Sequence, residues 1–168
     1  MTKIANYKYR IAGLLIALCS CVLDQWSKGA VKAFLEKDAD RTVTVVKSYA
    51  DLVYRYNTGG AFSMLDDHPR LFIYLPSVLI VMVFALLLLS HERRGERTGI
   101  IGLGFILGGA IGNMVDRIRF PAQGVFDFVD VYVGQAHWPA FNVADSCIVV
   151  GVCLFAFALL RSEMFSGR

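Results

Sequence analysis

Residues 71–90 read LFIYLPSVLIVMVFALLLLS, a run of twenty positions without a charged side chain. As a helix rising about 1.5 Å per residue, the run covers roughly 30 Å, the thickness of a bilayer's hydrocarbon core. Pro76 lies inside it and predicts a kink, which membrane helices tolerate. Residues 99–115, GIIGLGFILGGAIGNMV, are also uncharged. Residues 11–30 and 141–160 complete a set of four apolar segments, each with a charge near one end. The composition agrees with this pattern: 56% of the 168 residues are hydrophobic and 18% are charged, against about 25% charged in a soluble domain. The expected fold is an α-helical integral membrane protein with four transmembrane helices in a single membrane domain, residues 1–168.

Other classes fit poorly. A net charge of +3 without an aromatic and basic stripe gives no reason to expect nucleic acid. Cys19, Cys21, Cys147 and Cys153 all fall in apolar segments and read as small packing residues. His68, His91 and His137 are far apart, and no metal-ligand spacing is present. The N-terminal Lys3, Lys8 and Arg10 before IAGLLIALCSC resemble a signal peptide, and Leu18-Cys19-Ser20-Cys21 is a loose lipobox. Asp24-Gln25-Trp26-Ser27-Lys28 follows at helical spacing, however, so this segment is expected to stay as a span.

Basic residues near the span ends set the orientation. The N-terminal tail, the 91–98 link with Arg93, Arg94 and Arg97, and the C-terminal tail with Arg161 and Arg168 fall on one side, expected to be cytoplasmic. Segments 31–70 and 116–140 then face outward, with Trp26 and Trp138 at that interface. Within 31–70, Thr42-Val43-Thr44-Val45-Val46 and Leu52-Val53-Tyr54-Arg55-Tyr56 alternate as short strands, and Asn57-Thr58-Gly59-Gly60 is a turn signal. This region is expected to form a small extracytoplasmic β-sheet on the membrane surface.

The unusual polar residues meet at one level. Asp24 and Lys28 lie near the outer end of the first span; Asn113, Asp116 and Arg117 end the third; Asn142, Asp145 and Ser146 open the fourth. Polar groups brought together in a membrane mark a site. Each also has a structural reading. Asp24 and Lys28 have i, i+4 pairing, Asn142 and Asp145 have the spacing of a helix N-cap and its third residue, and Arg117 is able to snorkel. Gly104, Gly108 and Gly112 form a small-residue stripe for close helix packing.

Asp127, in the outer loop, is harder to explain structurally. If 125–133 is extended, it shares a face with Val125, Val129, Val131 and Val133, which predicts a raised pKa. Asp130 falls on the opposite face and is expected to be solvated. Seventeen residues with a Trp138-Pro139 bend separate Asp127 from Asp145, enough to fold the two carboxylates together. Two carboxylates at close range share a proton, giving an acid and a base suited to direct attack by water on a carbonyl. No Gly-x-Ser-x-Gly or His-Glu-x-x-His pattern offers another hydrolytic scheme.

These residues resemble the bacterial lipoprotein signal peptidase family, signal peptidase II. The resemblance runs through Asp24-Gln25-x-Ser27-Lys28, Asn57-Thr58-Gly59-x-Ala61-Phe62-Ser63 and Gly108-Gly109-Ala110-x-Gly112-Asn113-x-x-Asp116-Arg117. It continues through Val125-x-Asp127-Phe128 and Phe141-Asn142-x-Ala144-Asp145-Ser146. Phe126 departs from the small aliphatic residue expected there. The resemblance implies an aspartic endopeptidase that cleaves diacylglyceryl-modified prolipoproteins just before the lipid-modified cysteine. It assigns Asp127 and Asp145 as the catalytic pair, with Asp24, Lys28, Asn57, Asn113, Asp116, Arg117 and Asn142 binding substrate or supporting the site. It also implies no cofactor, contact with membrane lipids, inhibition by globomycin-type compounds, and a bacterial plasma (inner) membrane location with the active site at the extracytoplasmic face. The competing expectation is a small transporter that uses the outer polar cluster as an ion or proton pathway.

Overall fold

A computed structural model describes residues 7–58, 71–90 and 97–166. Gly59 and Gly60 of the turn signal, the Ala61-Phe62-Ser63 portion of the second motif, and Lys3, Arg93, Arg94 and Arg168 lie outside them. The elements in chain order are α1 (Lys8–Leu35), β1 (Thr42–Val46), β2 (Ala50–Asn57), α2 (Leu71–Leu89), α3 (Arg97–Arg119), β3 (Val125–Val133), β4 (Ala136–His137) and α4 (Val143–Ser166).

Helices α1, α3 and α4 are long and apolar enough to cross a bilayer. Helix α2 has 19 residues and no charge, about 28 Å at the helical rise. Large apolar side chains such as Leu15, Leu75, Val81, Val149 and Phe157 are exposed around the bundle, as a lipid-facing surface requires. Helix α1 runs five residues beyond the expected span to Leu35, which carries Lys32 and Leu35 up to the sheet.

Helix α3 is the centre of the bundle and packs chiefly on α4 and α1. Its glycines make two close contacts possible. A methyl group at Gly104 or Gly108 would strike the backbone of Gly13 or Ala17 in α1, and one at Gly102 or Gly109 would strike the backbone of α4. The stripe seen in the sequence is therefore a packing face, matched by a second one toward α4. Toward the end away from the sheet, Ala17, Val83, Leu87, Ile100, Leu103, Ile106 and Leu107 form a buried apolar cluster.

The strands form one antiparallel sheet in the order β1-β2-β3-β4. The sheet is not confined to 31–70. Segment 116–140, expected as a loop, continues α3 to Arg119 and then supplies β3, which pairs Tyr56 with Phe126 and Asn57 with Val125. Gly124, at φ +84°, makes the turn into β3, where its α-carbon lies against the carbonyl of Asn57. Phe126 explains its departure from the family pattern. It is 3% exposed and packs its ring on Tyr54 and Tyr56, 5.1 and 5.3 Å between centroids. Lys32 lies over the rings of Tyr54, Tyr56 and Phe120 and donates to the Tyr56 hydroxyl at 2.9 Å, tying the sheet to α1. Trp26 and Trp138, both at the sheet end of the bundle, are largely exposed.

Candidate active site

All four helix and strand segments that carry the unusual polar residues bring them together between the bundle and the sheet. The lowest member is Asp24, fully buried at 0% exposure. Its carboxylate pairs with Lys28 Nζ at 2.8 Å and accepts from the Ala144 backbone N–H at 2.9 Å. It thus caps the first turn of α4 from a different helix. Gly112 admits it: a methyl group there would sit 2.6 Å from Asp24 Oδ2.

Lys28, also buried, bridges Asp24 and Asp116, the second at 3.0 Å. Asp116 also accepts from the Phe126 N–H at 3.1 Å and from Gln25 Nε2 at 2.9 Å. The last bond gives a site-supporting role to Gln25, which the sequence places in the first motif without a role. Gln25 donates to Asp24, Asp116 and the Gly112 carbonyl. Its signal was an amide inside an apolar helix beside Asp24.

Two asparagines carry this network to the carboxylates. Lys28 Nζ donates to Asn113 Oδ1 at 3.0 Å, and a lysine ammonium has no acceptor. The oxygen of Asn113 must therefore face Lys28, which leaves Nδ2 to donate to Asp145 Oδ1 at 2.8 Å. Asn142 is fixed by the same logic. Its Oδ1 accepts the Asp145 backbone N–H at 3.0 Å, so its Nδ2 donates to Asp127 Oδ1 at 2.7 Å and to Asn113 Oδ1 at 3.1 Å. Asp145 Oδ2 accepts the Asn142 N–H at 3.1 Å in return. The Asn142 and Asp145 spacing is thus a reciprocal capping box at the start of α4. It also holds Asp145 in place.

Asp127 lies on β3 and is 3% exposed. It accepts from Asn142 and from the side chain of Asn57, which is close by on β2. Burial raises its pKa from 3.8 to about 6, and the charge of Asp145 adds to the rise; the bonds from Asn57 and Asn142 and the charge of Lys28 oppose it. Asp127, Asp145, Asn57, Asn113 and Arg117 line one cleft of about 310 Å³, walled by Val125 and by Trp138, Pro139, Ala140 and Phe141. Arg117 is half-buried and donates to the Asn113 carbonyl at 3.3 Å, while its Nε is buried without a hydrogen-bond partner among the described residues. It does not snorkel away from the cluster. Among the described residues, no group of three His, Cys, Asp or Glu side chains is placed to hold a metal.

Every site residue expected from the sequence therefore falls in one connected cluster, with two changes of role. The amides of Asn113 and Asn142 are committed to the two carboxylates rather than left free for a ligand. Asp130, expected to be solvated, is 4% exposed and bonded to His137. Both sides of β3 are covered over its first half, so strand alternation does not lead to solvent there.

The chain as a whole is similar to known proteins. Residues 16–161 match the family model described as Signal peptidase (SPase) II. The chain is 39% identical over 157 residues to the lipoprotein signal peptidase of Geobacter metallireducens, covering 92% of this chain and 93% of that one. It is 40% identical over 159 residues to the lipoprotein signal peptidase of Nitratidesulfovibrio vulgaris, with 93% of each covered. In fold it is similar to a bacterial membrane enzyme solved by the in meso method at 2.3 Å resolution, with TM-score 0.74 and 23% identity over 90% of this chain and 89% of that one.

Proposed function

Because the chain belongs to the signal peptidase II family, we propose that it is an aspartic endopeptidase of the bacterial inner membrane. Its substrate is a diacylglyceryl-modified prolipoprotein, cut immediately before the lipid-bearing cysteine. The observation that carries this reading is that Asp127 and Asp145 line one cleft and are both hydrogen-bonded to the buried Asn142.

The two carboxylates act as a coupled pair that shares one proton. Burial favours a proton on Asp127, and both oxygens of Asp145 accept N–H donors that hold it in place. Asp145 takes a proton from a water held between the two, and Asp127 donates to the scissile carbonyl. Water adds to that carbon, giving a tetrahedral diol without an acyl-enzyme. Its collapse breaks the C–N bond and returns a proton to the leaving amine. Arg117, whose Nε has no partner among the described residues, supplies a donor to a substrate backbone carbonyl. Lys28, held by Asp24 and Asp116, fixes the asparagine that holds Asp145.

Orientation follows from charge: Lys8, Arg10, Arg97 and Arg161 lie toward the helix ends away from the sheet, and the sequence adds Lys3, Arg93, Arg94 and Arg168 to the segments that flank those ends. That end, with both termini, is cytoplasmic, and the cleft opens at the extracytoplasmic face. The substrate's lipid chains stay in the bilayer around the bundle while its peptide enters the cleft. An ion pathway is not supported, because beneath Asp24 and Ser20 the helix interface is apolar.

The test uses purified protein and a diacylglyceryl-modified prolipoprotein, with the unmodified precursor as control. Mass spectrometry should find a cut directly before the modified cysteine, insensitive to chelator. Cleavage elsewhere, or only with added metal, would overturn this reading.

A further inference from the structure

The wall of the cleft formed by residues 138–141 is attached to β3 at two points. The Trp138 N–H donates to the Val131 carbonyl at 2.8 Å; Phe141 donates its N–H to the Val129 carbonyl at 3.0 Å and accepts at its own carbonyl from the Phe128 and Val129 N–H groups at 3.1 and 2.9 Å. Between them Pro139 has no N–H to give. The strand that leads into this wall, β4, is only two residues long and pairs only Ala136 with Val133 and His137 with Tyr132. So short a hairpin is weak on its own.

A side-chain contact reinforces it. His137 Nδ1 lies 3.1 Å from both oxygens of Asp130, and its ring stacks on Tyr132 with centroids 4.9 Å apart. Asp130 is an expensive residue to place here. It is 4% exposed and pairs directly across the sheet from Asp51, another carboxylate. Like charges opposite one another destabilise a sheet, and a buried carboxylate without a donor costs still more. A Thr or Val would serve the sheet better. What the carboxylate provides is a fixed anchor for the residue that immediately precedes the cleft wall.

We propose that Asp130 and His137 are positioning residues that clamp the Trp138–Phe141 wall against β3, so that the cleft is preformed for an extended peptide. Neither touches the reacting atoms, and the clamp acts on substrate binding. The kinetic consequence rests on the peptidase reading above, but the clamp itself does not.

The experiment compares the full-length wild type, His137→Ala and His137→Asn in lipid nanodiscs. One readout is kcat and KM on a diacylglyceryl-modified prolipoprotein; the other is backbone amide exchange. Losing a charge-assisted hydrogen bond should raise KM about tenfold in His137→Ala, with kcat within about twofold. Amide exchange should speed up at Trp138 and Phe141 while α1, α3 and α4 keep their protection. His137→Asn, whose Nδ2 falls near the position of Nδ1, should restore both. An unchanged KM, unchanged exchange, or failure of Asn to restore them overturns the clamp. If wild type does not cleave, the functional reading fails, and exchange still decides whether His137 holds the wall. Should His137→Ala not fold, Asp130→Asn carries the same two readouts.

Discussion

Asn142 donates its side-chain amide to Asp127 at 2.7 Å across the gap between α4 and β3. Its orientation is not free, because its oxygen accepts a backbone N–H from Asp145. A residue that caps a helix therefore also sets the position of a carboxylate on a neighbouring strand. Asn142→Asp replaces the donor by an acceptor facing Asp127 and should reduce cleavage by about 100-fold or more. Asn142→Ala should also cost about 1 kcal/mol of stability through the lost cap. Cleavage rates and thermal melting of both variants check this.

The raised pKa of Asp127 gives a stability signature. In the folded protein it titrates at about 6, in the unfolded chain near 3.8. Between those values the folded state holds the proton more tightly, so this group's contribution falls as pH rises from about 4 to 6 and stays lower above that. The full difference is at most about 3 kcal/mol. Asp127→Asn removes it, so the melting temperature of the variant relative to wild type should climb over that window. Parallel curves for the two proteins would show that Asp127 is not held in an environment that favours its proton.

Lys28 neutralises two buried carboxylates, at 2.8 and 3.0 Å. Lys28→Met leaves Asp24 and Asp116 facing each other without a cation, which should cost about 3–5 kcal/mol. It also removes one of the two donors, the other being Asn142, that hold the Asn113 oxygen. Adding Asp116→Asn should recover part of the stability but not the cleavage, since the Lys28 hydrogen bond to Asn113 is still missing. Recovery of both would mean that Lys28 serves only charge balance.

Two glycines give opposite outcomes. At Gly112 a methyl group would lie 2.6 Å from Asp24 Oδ2, whereas at Gly29, in α1, it meets nothing within 4 Å. Gly112→Ala should displace Asp24, lower the melting temperature and suppress cleavage. Gly29→Ala should stabilise by up to about 1 kcal/mol and leave cleavage unchanged. Thermal melts and cleavage assays on both variants separate close packing from helix propensity.

Much of this was legible in the sequence, for identifiable reasons. Charge-free runs announce helices in any context, so α2 and α3 were plain. The i, i+4 spacing of Asp24 and Lys28 and the cap spacing of Asn142 and Asp145 are local rules, and the bonds that they suggest are present. What depends on tertiary placement was not visible. Asp130 was read as solvated because alternation along a strand reveals only which residues share a face, not what covers it. His137 reaches Asp130 after the chain turns back, its ring stacked on Tyr132. The role of Gln25, though it stands in the first motif, was not legible because its partners Asp116 and Gly112 lie on another helix. Likewise, segment 116–140 gave no sign that Val125–Val133 would join strands from 42–57, a pairing fixed by the aromatic packing of Tyr54, Tyr56 and Phe126.

The central claim is that Asp127 and Asp145 together cleave the peptide bond. Purified wild type, Asp127→Asn and Asp145→Asn should be compared on a diacylglyceryl-modified prolipoprotein, with circular dichroism and melting curves to establish folding. The account predicts release of the signal peptide by wild type and at least about a 1,000-fold lower rate in each variant, both folded. Cleavage near the wild-type rate by either folded variant would contradict it.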